Sequence, residues 1–398
     1  MAITILQQPT YPNATYTSLV YAVESDDINK PQYQYVMDVV SGSNILTRVK
    51  QYPNPVGNAI FDPARIVNDY LEYRTDIFDS IATNDFGSSQ QTFAIKFGES
   101  YGSSPSSSVT IYDGNNGIGN PAVTGTPSVV WPATVNPNNG VGWNWDDVYG
   151  NNIYLTNYPN STTTNTEKNY KKVAPSDYGV IAFKGTNGTN DPDVILYNSN
   201  GGIVATTFFT GPSDANGTYI PCGPKNLLDK GITQNQLDNT EYYEILIGPS
   251  SFYFKIDREG CNYPRVNFLF INSFGVWDSY GVSLPKAHNT SLDKKQITKP
   301  MIDYSSATAP YNGLRRGHEY YNIQSNDRYS ISSEFLTQEQ AEWMSELLES
   351  PSVYIQEGNN FIPVLITNSA YVHNTNKKSQ KIFQYRIEYT LSNQRLGR

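Results

Sequence analysis

Histidine and cysteine are the scarcest chemistry-bearing residues of this chain, with three and two copies among 398 residues. Nucleophilic and general-base catalysis usually needs a histidine within reach of a serine, a cysteine or a carboxylate, and His288, His318 and His373 stand in no such motif. Cys222 and Cys261 lie 39 residues apart, outside any CxxC pattern and without a nearby histidine. That reads as two buried thiols, with a disulfide as the lesser alternative and metal binding less favoured still. No apolar run approaches membrane-spanning length, and the opening residues from Met1 to Pro9 lack the basic stretch of a signal peptide, so synthesis in a cytosol is expected. The Gly-rich phosphate loop and the dinucleotide fingerprint are missing too. A formal net charge of −9 argues against a general attraction to DNA phosphates or anionic lipid.

Only 16% of residues are charged, while glycine, proline, asparagine, serine and threonine abound, a balance that favours short strands and many turns. The expected class is therefore all-β: multidomain β-sandwich or β-barrel modules with a few short helices. The 31 tyrosines outnumber the 16 phenylalanines and 5 tryptophans together. A ring carrying a hydroxyl suits half-buried strand faces and subunit contacts that are wet on one side. The stretch from Val266 to Tyr280 is the most informative one. Five of its first six residues are apolar, which predicts a strand buried on both faces. Asn272-Ser273-Phe274-Gly275 then supplies a bend that re-aims Trp277 and Tyr280.

Four segments follow in order. Residues 1–97 read as an N-terminal β-sandwich, in which Tyr33, Tyr35, Met37 and Val39 alternate with Gln32, Gln34 and Asp38 as a strand with one wet face. Asp62 and Pro63 announce a short helix near 63–71 with Ile66, Val67, Tyr70 and Leu71 as its apolar stripe. Residues 98–166 form a Gly/Ser/Asn/Pro-rich insertion carrying Trp131, Trp143 and Trp145. Residues 167–300 read as a middle β-domain with hairpins at 193–209 and 242–256. Residues 301–398 read as a C-terminal β-domain with one capped helix near 337–349, Thr337 and Gln340 making the capping box and Ala341, Met344, Leu347 and Leu348 the buried stripe. The alternation of Phe383, Tyr385, Ile387, Tyr389 and Leu391 predicts a last strand at a sheet edge or a subunit boundary.

No residue stands in a catalytic, cofactor-binding or metal-ligating motif, and the chain is not expected to be an enzyme. In Arg315-Arg316-Gly317-His318-Glu319 two arginines and a glutamate suggest an anion pocket, but a solvated loop or a subunit salt bridge is the favoured reading. Asp26-Asp27 and Asp146-Asp147 read as turn residues rather than the separated acids of a glycosidase. Asp113 to Gly117 lacks the closing acidic ligand of a calcium loop and reads as a hairpin turn. Trp131, Trp143 and Trp145 suit subunit packing, with an aromatic platform for sugar as the alternative. Lys168, Lys171, Lys172, Lys377, Lys378 and Lys381 read as solvated turns.

Phe268-Leu-Phe-Ile-Asn-Ser-Phe-Gly-Val-Trp-Asp278 resembles the FxNxxGxWD segment of virion proteins of tailed phages infecting Bacteroidetes, the crAss-like phages in particular. Tyr33 to Val39 with Tyr52 to Pro55 and Phe61-Asp62 is similar to their N-terminal module. Phe335 to Trp343, Leu347 to Tyr354 and Ile362 to Val364 are similar to their C-terminal one. The resemblance leaves 98–166 unmatched and carries no catalytic residue over. It implies a virion structural protein of the neck or tail, a ring or hub subunit. Its partners would be copies of itself in a sixfold or twelvefold ring, the adjoining neck or tail proteins, and genomic DNA passing without specific binding. A receptor- or carbohydrate-binding tail component is the alternative.

Overall fold

The structure is a computed structural model that describes residues 3–9, 13–14, 18–85, 91–102, 109–112, 128–131, 154–160, 170–183, 191–210, 218–248, 250–258, 263–299, 307–308, 317–368 and 383–393. The fold is all-β, several largely antiparallel sheets with a few short helices, as the composition implies. The chain forms two compact units. The first holds Met1–Asp257 and Ile271–Ser279, and the second holds Arg258–Phe270 and Tyr280–Arg398.

The first unit opens with a three-stranded sheet, Ile3–Gln7, Tyr21–Ser25 and Ala59–Phe61, and a larger sheet centred on Gln34–Ser41 and Gln91–Ser100. Their shared core contains Tyr21, Val23, Phe61, Phe93, Ile95 and Phe97, and Tyr35, Met37 and Val39 point into it as their alternation requires. The opposite face of that strand is not wet, contrary to expectation, because Val36, Asp38 and Val40 are buried as well. Asp38 tolerates this because Arg48, directly across the ladder, donates two 2.7 Å hydrogen bonds to its carboxylate. The first helix is shorter than its stripe suggests. It covers Ala64–Asn68, and Asp62 accepts from the Ala64 N–H at 3.1 Å.

The middle of this unit is a five-stranded sheet ordered Lys171–Val173, Ser250–Ile256, Tyr242–Ile247, Asp193–Tyr197, Ile203–Phe208. Both expected hairpins are present in it. The bend at 272–275 completes the unit. The Asn272 carboxamide oxygen accepts from the N–H groups of Phe274 and Val276 at 3.0 and 3.3 Å, and its nitrogen donates to the Leu155 carbonyl at 2.8 Å. Gly275 has a φ of 74°, which favours glycine. The bend delivers Trp277, 1% exposed, edge-on to Phe78 with its indole N–H on the Arg74 carbonyl at 2.7 Å. Asp278 follows, buried, with one carboxylate oxygen on the Lys171 ammonium and the other accepting from the Thr156 hydroxyl at 2.5 Å. Lys171 is only 4% exposed, so the expectation that it belongs to a solvated turn is wrong: it is one half of a buried ion pair.

The second unit is built on a sheet whose strands run in the order Val266–Ile271, Val353–Glu357, Asn360–Ile366, Arg386–Leu391, His318–Ser332, Lys286–Thr298. All six residues of Val266–Ile271 are buried, as their apolar run predicts. The helix Gln338–Glu349 has the expected capping box, the Thr337 hydroxyl accepting from the Gln340 N–H and the Gln340 side chain accepting from the Thr337 N–H. Its buried side is wider than the predicted stripe, because Trp343 joins Ala341, Met344 and Leu347 and packs against Phe270 and Tyr280 at ring distances of 5.8 Å. The last strand, Arg386–Leu391, lies between two others and not at an edge, since its Ile387 and Tyr389 are buried within the sheet.

The Lys171–Asp278 pair makes a sharp test of how the bend is held. Lys171→Ala leaves a carboxylate at 2% exposure without its cation, and should lower the unfolding free energy by about 3 to 5 kcal/mol in a denaturant titration. A loss below about 1 kcal/mol would mean that the pair is not what secures the bend.

Candidate functional site

Two strands of the second unit extend far beyond the sheet that carries them. Lys286–Thr298 pairs with His318–Ser332 along thirteen register positions, from Lys286 opposite Ile331 to Thr298 opposite His318. Only Tyr329 to Ser332 of the longer strand also pair with Arg386–Leu391. The residues from His318 to Arg328 are therefore one half of a two-stranded ribbon, an arm of about 37 Å at the rise of an antiparallel strand. Every residue of Lys286–Thr298 is exposed, and none of the partner strand is buried before Ser330.

The base of the arm is anchored by stacked rings. His288 stacks on Tyr329 with centroids 4.4 Å apart, and Tyr329 on Tyr389 at 5.3 Å. The Lys286 ammonium lies 4.6 Å from the Tyr329 ring. Asp327 accepts from the Thr290 hydroxyl at 2.6 Å and lies 3.1 Å from the His288 Nε2. Beyond this anchor, Leu292, Ile297, Tyr320, Tyr321 and Ile323 are all exposed. Leu292 and Lys294 share a face with Ser325 and Ile323, directly across the ladder. Lys286–Thr298 bonds to no other described strand on its outer side, so it presents an open edge.

His318 opens the arm's second strand beside Thr298, and Glu319 is bound by Lys299. Arg315, Arg316, His373, Cys261, Asp113 to Gly117, Asp146, Asp147, Trp143, Trp145, Lys168, Lys377, Lys378 and Lys381 lie outside the described residues, as does the side chain of Trp131. Asp26 and Asp27 sit in the turn expected of them, Asp27 paired with Lys30 at 2.8 Å. Cys222 is buried, and that burial pushes its thiol up to about 12. Among the described residues no cluster of three or more metal-ligating side chains occurs.

The buried carboxylates serve as acceptors inside the fold. Asp38 is held by Arg48, Asp278 by Lys171 and Thr156, and Glu99 by the hydroxyls of Ser25 and Tyr33 at 2.5 and 3.0 Å. A half-buried set on the five-stranded sheet is different in kind. Tyr197 stacks on Tyr242 at 4.9 Å, Tyr170 lies against Tyr242 and Tyr253, and Glu244 accepts from the hydroxyls of Tyr197, Tyr253 and Ser251. Burial, with Glu244 adding to it, pushes the Tyr197 phenol up to about 12. No local pattern announces this set, whose members are spread from residue 170 to 253.

No protein-family model matches the chain, and no curated protein does. Among solved structures, one of Salmonella alpha-2-macroglobulin aligns with 98% of this chain and 20% of its own length, at 7% identity and a TM-score of 0.15. A likeness of that size supports no conclusion about fold or activity.

The exposed apolar residues of the arm are expected to contribute little to folding. Leu292→Ser and Tyr321→Ser should each leave the unfolding free energy of the free chain within roughly 0.5 kcal/mol of its starting value. A loss above about 2 kcal/mol would show that the arm packs on its own chain.

Proposed function

We propose that the protein is a non-enzymatic structural subunit of a bacteriophage virion, which joins copies of itself into a cyclic ring of the neck or tail around the DNA channel. The observation that carries this reading is the arm. A ribbon with both faces in water and an open edge is marginal by itself, and it gains a buried face when it lies on another chain. The resemblance of Phe268 to Asp278 to segments of crAss-like phage virion proteins points to the same class. The net charge of −9 suits a channel wall that does not grip passing phosphates, if the acidic surface faces the lumen. Where the described carboxylates and histidines stand also favours a structural role, because their partners are residues of the fold itself.

One observation favours a second reading, a carbohydrate-binding tail component. Tyr170, Tyr197, Tyr242 and Tyr253 around Glu244 combine ring faces with a carboxylate, the two features that recognise a sugar. Glycan-array binding that disappears in Tyr197→Ala and Tyr242→Ala would favour it over the ring.

Light scattering of the purified full chain, with mass spectrometry of phage particles, tests the main proposal. The expected result is a closed oligomer of defined mass and the chain present in particles at a fixed stoichiometry. A monomer absent from particles would overturn it.

A further inference from the structure

A ring of identical subunits needs two different complementary surfaces on each copy, because a heterologous contact is what propagates around a closed circle. The arm is one such surface. The first unit carries a counterpart in Ile203–Phe208, the last strand of the five-stranded sheet, which pairs with Asp193–Tyr197 and with no other described strand. Its sequence, Ile-Val-Ala-Thr-Thr-Phe, has strong strand preference and neither a charge nor a proline. Edge strands are normally protected by those very features, and Asn44–Gln51, the edge of another sheet in the same unit, carries Arg48 and Lys50. Ile203 and Phe208 are instead 64% and 59% exposed.

We infer that the outer edge of Lys286–Thr298 in one copy adds to the Ile203–Phe208 edge of the next, extending the five-stranded sheet across the subunit boundary. The inference rests on the ring reading and gives its contact. Backbone hydrogen bonds supply the pairing, because the outer side of each edge is bonded to no other described strand. On one face of the shared ladder, exposed Leu292 meets exposed Ile203 or Phe208, so each apolar side chain leaves water against another. Charge favours the same match. Lys286–Thr298 carries three lysines and one aspartate on a chain of net charge −9, and exposed Asp193 stands directly opposite Phe208 at the end of the acceptor edge. Six residues of acceptor against thirteen of donor leave most of the arm's length to other contacts with the same neighbour.

The test uses the full chain with a photo-crosslinking amino acid in place of Leu292, in an equal mixture of normal and isotope-labelled copies. Crosslinked peptides joining the two isotopes and containing Ile203 to Phe208 are the expected result. Because Ile203 and Phe208 are exposed, Ile203→Lys with Phe208→Lys should fold with an unchanged melting curve, yet raise the concentration at half-assembly by roughly tenfold or more. Leu6→Lys, at an exposed apolar position elsewhere, should leave assembly as it was. An oligomer whose crosslinks fall on any other segment, or that the double lysine change leaves intact, overturns this contact while the ring reading stands. A chain that stays monomeric at every concentration overturns both.

Discussion

A ribbon of two strands has no interior. Each side chain falls on one of two faces, and without a third strand or a covering layer both faces stay in water, so little apolar burial offsets the entropy of ordering the backbone. The arm formed by Lys286–Thr298 and His318–Ser332 is under this constraint over most of its length. Its base is relieved of it by the stack of His288, Tyr329 and Tyr389 and by the third strand alongside. The rest acquires an inside only when another surface supplies one. The proposed role follows from that deficit: among the described residues the arm is a long element without a covering layer, and assembly would supply one.

The cores of the two units are each organised around a large buried ring. In the first unit the bend from Asn272 to Gly275 turns the chain so that Trp277 and Asp278 enter the protein side by side. The indole satisfies its N–H on Arg74, and the carboxylate meets Lys171 and Thr156. A charge so placed is tolerated only with its partners in position, which makes the arrangement specific even where it adds little net stability. In the second unit Trp343 has the corresponding place: carried on the well-capped helix, it packs against Phe270 and Tyr280.

What could be read in the sequence was what depends on neighbours along the chain. The capping box at Thr337 and Gln340, the bend at Asn272 and Gly275, the hairpin turns and the buried run at Val266 are local devices with local signals. Partners distant in sequence were not legible. Lys171 looked like a member of a surface cluster because nothing near it announces Asp278, more than a hundred residues on. Asp38 looked solvent-facing because the pairing that sets Arg48 across from it is a tertiary fact. The arm left no periodic trace. Leu292 and Ile297 are the only large apolar residues in Lys286–Thr298, spaced five apart, which fits neither a half-buried strand nor a helix. A strand with no buried face has no reason to alternate, so the element most suggestive of function was the one hydrophobic patterning could not find.

The most direct measurement of the central claim is a density map of the purified assembly at a resolution that separates strands. The account predicts that Lys286–Thr298 gains a third strand from a neighbouring copy on its open edge, with Leu292 and Tyr321 covered. An assembly in which the arm projects into solvent on all sides, or folds back on its own subunit, would contradict it.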